Sequence, residues 1–329
     1  MLELILVILM LIVGLALLVK GADFLVDGGA DFARYLKVSP LLVGLTIVAF
    51  ATSLPELMVS LYSALIGEAD VAVANIIGSN ILNIVLIIGV GAIILPLVVK
   101  SRTLTYEFPF LIVSSFILLI LGHDFFIYNQ NTFILSRLDG IILLVIFAVF
   151  VYYVWNCLKK EQKESKEVKK EFSKEYQNKN SLGKNIGLML IGLIGLVLGG
   201  KLFVSYAVKL GQLAGLSEAF IGLTVIALGT SLPELVTSVV AAWKKESDIA
   251  LGNIVGSNIF NILFILGLTS VIRPLNITPN LLSQDGIFMV FIALLFLLFA
   301  AHDKKISRKE GIIFLLLYSA YFAFLVWRL

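Results

Sequence analysis

Apolar runs of about 20 residues recur along this whole 329-residue chain, and each is continuous rather than alternating. No other feature constrains the fold as strongly. A continuous run of that length crosses the hydrocarbon core of a bilayer as an α-helix, whereas a membrane β-strand alternates apolar and polar residues. Inside a bilayer every backbone N–H and C=O needs a partner from the protein itself, and a helix supplies it. Ten spans can be drawn, at residues 2–19, 39–66, 71–98, 105–122, 139–157, 185–203, 218–242, 247–272, 284–301 and 311–328. Composition agrees. With 60% hydrophobic and 14% charged residues and a mean hydropathy of +1.03, the chain lacks the polar surface of a water-soluble domain. The fold expected is all-α and polytopic.

The first run carries Glu3, no basic start and no small-residue cleavage site, so it reads as a retained span and not a signal peptide. A single cysteine, Cys157, leaves no internal disulfide and no cysteine cluster for a metal. Between spans five and six lies the long polar segment "CLKKEQKESKEVKKEFSKEYQNKNSLGK", residues 157–184. Pairs such as Glu167/Lys170 and Glu171/Lys174 make part of it a candidate solvated helix. With this linker on the cytoplasmic side, only Arg137, Lys201, Lys209, Arg273 and Arg328 of the 25 basic residues face outward. The positive-inside rule then places a multi-pass protein in the cell membrane, its linker cytoplasmic and both termini outside.

Shifted by 178 residues, the chain matches itself. "GLTIVAFATSLPE" (44–56) lies over "GLTVIALGTSLPE" (222–234), identical at 9 of 13 positions, and "NIIGSNILNIVLIIG" (75–89) over "NIVGSNIFNILFILG" (253–267), identical at 10 of 15. No gap separates the blocks, and Pro96 falls on Pro274. The division is a first five-span repeat at 1–156, the linker at 157–184 and a second repeat at 185–329. Five is odd, so the second copy enters the membrane from the opposite face. Inverted repeats of this kind place a transport site at their interface near mid-membrane. Spans two, three, seven and eight are overlong and hold glycine, proline or polar residues near their middles, which is the pattern of broken helices.

The repeated Thr-Ser-Leu-Pro-Glu places Pro55 and Glu56, and again Pro233 and Glu234, inside apolar runs. Proline lacks an N–H and frees carbonyls just upstream, near Ala49 to Thr52 and from Ala227 onward. Those carbonyls, the side chains of Thr52, Ser53, Thr230 and Ser231, and the two carboxylates are all hard oxygen ligands, suited to cations such as Ca²⁺. No His or Cys lies near either motif; His123 and His302 fall at span ends, and Asp23 and Asp27 read as loop residues beside a span end. The spans holding Glu56 and Glu234 contain no Lys or Arg to pair them. Two facing carboxylates can be neutralised by one divalent cation, by two monovalent cations or by protons, and ions that take turns there make an exchanger. Ser79, Asn83, Ser257 and Asn261 add further oxygens from spans three and eight, where Gly78 and Gly256 permit close approach or a local break. Taken singly, each Ser, Thr or Asn is more simply a hydrogen bond between helices. The matched pair of glutamates is not. No nucleophile–base pair or cofactor motif appears, so neither an enzyme nor a cofactor is expected.

"ATSLPE" with "GSNILN", and "GTSLPE" with "GSNIFN", resemble the two α-repeats of the cation/calcium exchanger superfamily, specifically its sodium/calcium exchangers. Their pattern is G-[TS]-S-x-P-[ED] followed by G-S-N-x-x-[ND]; Ala51 departs from it mildly. The resemblance covers nearly the whole chain and implies ten helices in two inverted repeats. It further implies that Glu56 and Glu234 bind Ca²⁺ with the carbonyls of Thr52 and Thr230. They would share Na⁺ sites with Ser53, Ser231, Ser79, Ser257 and the carbonyls of Ala49 and Ala227, with Asn83 and Asn261 lining the centre. Exchange of three Na⁺ for one Ca²⁺ would be electrogenic, with spans one and six sliding against the other eight. Potassium-dependent relatives, and some prokaryotic members of the superfamily, carry Asp at the position of Asn261, and Asn there removes a carboxylate that could help balance K⁺, so exchange without K⁺ is expected. Proton/calcium exchangers show G-N-x-x-E where this chain has "ANIIG" and "GNIVG", which argues against, without excluding, a Ca²⁺/H⁺ antiporter. The partners expected are Ca²⁺, Na⁺ and the bilayer, not nucleic acid, around a monomer. A Ca²⁺ channel would conduct without a counter-ion, and a membrane scaffold would be indifferent to loss of either glutamate.

Overall fold

The computed structural model describes residues 2–123, 133–171, 182–216 and 227–328. Its main helices are α1 (Leu2–Leu36), α2 (Pro40–Thr52), α3 (Leu54–Ile66), α4 (Ala69–Ile94), α5 (Ser101–Leu121) and α6 (Arg137–Glu171), then α7 (Leu182–Leu213), α8 (Leu232–Trp243), α9 (Ser247–Ile272), α10 (Leu281–Asp303) and α11 (Arg308–Arg328). Eight of these helices are long and apolar enough to cross a bilayer singly, and α2 with α3 makes a ninth span bent by 44°. The seventh predicted span begins in residues outside those described; its remainder is a helical turn, Ala227–Gly229, followed by α8.

Burial separates centre from periphery. The apolar stretch of α9 is 94% buried and that of α4 78%, against 22% for α1, 17% for α6 and 11% for α11. The central pair is therefore the pair carrying the Gly-Ser-Asn motifs. Ile12, Val145 and Trp327 are among the large apolar side chains turned outward on the peripheral helices, as a lipid-facing surface requires.

Two crossed β-ladders tie the repeats together. β1 (Leu97–Val98), after α4, pairs antiparallel with β4 (Lys305–Ile306), before α11. β2 (Ile134–Leu135), before α6, pairs with β3 (Leu275–Asn276), after α9. Each repeat's third span is thus strapped to the other's fifth. Inversion also shows in α1 and α7, which pack antiparallel along a glycine seam: Gly14 meets Phe203, Gly21 meets Leu196, and Gly28 meets Met189. A Cβ on Gly21 would lie 2.6 Å from the Leu196 nitrogen, and one on Gly192 2.6 Å from that of Leu25, so only glycine allows this approach.

Several expectations are corrected. Asp23 and Asp27 lie within α1, not in a loop, because the helix runs on to Leu36. No proline interrupts that stretch, and the helix closes at a left-handed Lys37 with φ 59°. Both aspartates form ion pairs with Lys244 just after α8, while Arg34 pairs with Glu246 at 2.8 Å. Burial works against the Lys244 ammonium, but its hydrogen bonds to Asp23 and Asp27 outweigh it and hold the pKa above the usual lysine range. Spans three and eight are not broken. Each is one helix that widens into a π-helical segment, at Asn83–Ile87 and Phe260–Leu266. Gly256 serves close approach, since a Cβ there would lie 2.6 Å from the Leu45 carbonyl oxygen. The start of the polar linker is helical, as α6 reaches Glu171. Glu161 on it accepts hydrogen bonds from the Ser39 N–H (2.7 Å) and from Arg102 (2.6 Å), anchoring α6 to the start of α2.

A candidate cation site at two helix breaks

Ser53 and Ser231 make the breaks, and they make them alike. Ser53 has φ −82° and ψ 4°; Ser231 has φ −85° and ψ 3°. Both sit in the bridge region between helix and extended backbone. Pro55 and Pro233 follow within the first turns of α3 and α8, where a missing N–H costs nothing because that group would have no helical partner. The prolines therefore start new helices as much as they end old ones. Glu56 and Glu234 fall in those same first turns, where the positive end of the helix dipole favours a carboxylate.

The two carboxylates are 0% exposed. Ser79 Oγ donates to Glu56 Oε1 at 3.1 Å and Ser231 Oγ at 3.4 Å; Ser53 Oγ donates to Glu234 Oε1 at 3.2 Å. Ser231 on Glu56 and Ser53 on Glu234 are the same contact in mirror, each reaching across to the other repeat. The Oε2 atom of each glutamate is buried without a hydrogen-bond partner, and neither glutamate forms an ion pair among the described residues. Asn261 donates to Ser79 Oγ (3.2 Å) and to Asn80 Oδ1 (3.0 Å), leaving its own Oδ1 buried and unpartnered. Both polar atoms of Asn83 are likewise buried without partners. Buried polar atoms are almost always satisfied, so the open carboxylate oxygens of Glu56 and Glu234 and the open amide oxygen of Asn261 mark a place built for something that supplies positive charge. With oxygen donors only, the chemistry suits hard cations.

Of the residues expected from the sequence, Glu56, Glu234, Ser53, Ser231, Ser79 and Asn261 come together here, and Asn83 is buried on the same face-bearing helix α4. Ser257 breaks the symmetry: it donates to the Ala49 carbonyl at 3.5 Å and lies 3.4 Å from Thr52 Oγ1, whereas its counterpart Ser79 is on a glutamate. The Ala49 carbonyl, expected to be free, accepts the Ser53 N–H at 3.0 Å. It also lies within reach of Ser257 Oγ (3.5 Å) and Thr52 Oγ1 (3.3 Å). Ala227 opens the short helical turn before the second break. The Thr52 and Thr230 hydroxyls donate to Asn253 Oδ1 (3.0 Å) and Asn75 Oδ1 (3.1 Å). Those two asparagines, with Ser60 and Ser238 behind them, are the polar residues that the sequence reading passed over. A signal existed, because each pair is identical at the 178-residue offset. His123 packs edge-on against Phe133 just past α5, and His302 ends α10, both away from the site.

The chain as a whole is similar to known proteins. The profile of the family described as sodium/calcium exchanger protein matches residues 6–156 and 184–327, the two repeats. The inner membrane protein YrbG of Escherichia coli is 35% identical over 320 residues, covering 97% of this chain and 96% of that protein. The sodium/calcium exchanger MaX1 of Methanosarcina acetivorans is 32% identical over 344 residues, covering 95% and 96%. A structure of the sodium-calcium exchanger NCX_Mj, soaked with zero Na⁺ and Ca²⁺, superposes with a TM-score of 0.81 at 33% identity, covering 97% of this chain and 99% of that one. By its sequence over both repeats and by its fold, the chain belongs to the sodium/calcium exchanger family, which is a family of transporters and not of enzymes.

Proposed function

We propose that this protein is a secondary antiporter that exchanges Na⁺ for Ca²⁺ across the cell membrane by alternating access. The observation that carries the reading is the pair of fully buried carboxylates, Glu56 and Glu234, each with an open oxygen and neither paired with a basic side chain among the described residues. An uncompensated buried carboxylate costs several kcal/mol, on the order of the penalty for an ion in a low-dielectric interior. Two of them side by side need a divalent cation, or monovalent cations in its place. MaX1 and NCX_Mj, both named as sodium/calcium exchangers, support this choice of ions.

Glu56 and Glu234 hold Ca²⁺ together with the carbonyls of Thr52 and Thr230. The same glutamates share in Na⁺ sites with Ser53, Ser231, Ser79, Ser257 and the carbonyls of Ala49 and Ala227, and Asn83 and Asn261 line the centre. Three Na⁺ move against one Ca²⁺, so the cycle carries charge. Asn261, uncharged, removes the carboxylate that would help to balance K⁺, so exchange proceeds without it. Gly78 and Gly256 stand where a proton-coupled relative has glutamate, which favours Na⁺ over H⁺ as the driving ion. The sliding pair is α1 with α7, since their seam of glycines makes a smooth, closely packed unit with a lipid-facing outer side. The linker and the Lys244 ion pairs lie on the cytoplasmic side.

The test is Ca²⁺ uptake into Na⁺-loaded vesicles diluted into Na⁺-free medium, with pH clamped. Uptake that needs internal Na⁺, persists without K⁺ and carries current is the expected result. Uptake indifferent to Na⁺ and driven by an imposed pH gradient would replace Na⁺ with H⁺ as the coupling ion.

A further inference from the structure

We propose that Asn75 and Asn253 are positioning residues of the exchanger, each fixing the helix break of the opposite repeat by holding its threonine hydroxyl. The proposal rests on the function given above. Its basis is a pair of three-residue chains related by the internal symmetry. Asn75, on α4, accepts the Thr230 hydroxyl at 3.1 Å and donates to Ser60 Oγ on α3 at 3.1 Å. Asn253, on α9, accepts the Thr52 hydroxyl at 3.0 Å and donates to Ser238 Oγ on α8 at 3.0 Å. Thr52, Asn253 and Ser238 are all buried.

The orientation of Asn75 follows from its third contact. Its amide nitrogen also lies 3.3 Å from the Glu56 carbonyl oxygen, which can only accept. The nitrogen must face Glu56 and Ser60, and the oxygen is left for Thr230. A side-chain amide is the one group that meets all of these demands at once, accepting on one side and donating twice on the other. Symmetry gives Asn253 the same orientation between Thr52 and Ser238.

The mechanical consequence lies in which elements are joined. Thr52 and Thr230 are the last residues before the two breaks, and Asn253 and Asn75 stand on the two most buried spans. Each break is thus registered to the core helix of the other repeat, while the serine end ties in the half-helix that carries a glutamate of the asparagine's own repeat. The nearest acceptor of each threonine hydroxyl is the asparagine oxygen, although Thr52 Oγ1 also lies 3.4 Å from Ser257 Oγ, and on this proposal the break offers the cargo its main-chain carbonyls. Thr52 Oγ1 has the Ala49 carbonyl as a second acceptor at 3.3 Å, but the asparagine oxygen is nearer. Loss of either end should displace the carbonyl ligands and weaken ion binding, while the sliding seam of α1 and α7 is untouched.

The experiment is a double-mutant cycle on Thr52→Val and Asn253→Leu in reconstituted vesicles, reading half-saturating Ca²⁺ and maximal rate separately. Each single variant is expected to raise half-saturating Ca²⁺ about tenfold with maximal rate within about twofold, the scale of one buried hydrogen bond. The double variant should be no worse than the weaker single, because both remove one link. Thr52→Ser, which keeps the hydroxyl, should recover most of what Thr52→Val loses. Multiplied losses in the double variant, a loss confined to maximal rate, or a Thr52→Val defect far larger than that of Asn253→Leu would overturn the proposal; the last would put the hydroxyl on the ion itself. The mirror cycle on Asn75→Leu and Thr230→Val gives an independent reading if one variant fails to fold. Absence of Na⁺-driven uptake in the unmodified protein would instead remove the function proposed above, and the cycle would then be read on Ca²⁺-dependent thermal stabilisation in detergent.

Discussion

Glu56 and Glu234 are the two buried carboxylates on which the proposed site rests. Replacing either by Gln keeps the shape and removes one negative charge. Glu56→Gln and Glu234→Gln should each reduce Na⁺-driven Ca²⁺ uptake by at least about a hundredfold, since losing one partner of a buried charged cluster costs roughly 3–5 kcal/mol. Uptake assays on both variants check this, and a silent variant would mean that its carboxylate does not hold cargo. Acidification acts on the same groups: protons occupy the carboxylates in place of Ca²⁺, so half-saturating Ca²⁺ should rise as pH falls, and excess Ca²⁺ should restore the rate. The two glutamates were legible in the sequence because each is an ionisable residue in an apolar run and each occurs twice. Asn75 and Asn253 occur twice as well, yet uncharged amides are ordinary in membrane helices, and only their position beside the breaks reveals their use.

At the scale of the element, the internal repeat supplies its own control. Gly67 ends α3 with φ 102°, and its counterpart Lys245, just after α8, takes φ 64°. The closing hydrogen bonds match: Gly67 and Lys245 bond back to Ala64 and Ala242, and the next residues to Ser63 and Ala241. One repeat has the residue that this left-handed turn prefers and the other does not. Lys245→Gly should therefore stabilise the protein by about 0.5–1 kcal/mol and Gly67→Lys should destabilise it by a similar amount, read as shifts of the thermal midpoint in detergent. In the glycine seam, Gly192→Ala places a methyl against the backbone of α1 and should cost about 1–3 kcal/mol by overpacking. The breaks at Ser53 and Ser231 were legible from proline. The π-helical widening at Asn83 and Phe260 was not, because it changes neither composition nor apolar pattern. The length of α1 was underestimated because Lys20, Asp23 and Asp27 resemble a loop until Lys244 is seen to pair with the two aspartates.

At the scale of the whole molecule, two halves of one design run in opposite directions, and the crossed ladders, the antiparallel α1–α7 seam and the matched breaks all express that relation. The sequence foretold the inversion from an odd number of spans in each copy. It could not foretell where the halves differ. Here Ser79 is bound to Glu56 while its counterpart Ser257 is bound to the Ala49 carbonyl. The charge asymmetry of the loops predicts a linker on the cytoplasmic side. With Cys157→Ser as background, Ser165→Cys should react with an impermeant maleimide only from the cytoplasmic side, and labelling of intact cells from outside would reverse the orientation. The central claim is that competing ions take turns on one pair of carboxylates, and equilibrium Ca²⁺ binding to the purified protein, titrated against Na⁺, tests it most directly. The expected result is a Ca²⁺ site that Na⁺ empties cooperatively and that is lost in both Glu56→Gln and Glu234→Gln. Ca²⁺ binding that ignores Na⁺, or that survives either substitution, would contradict it.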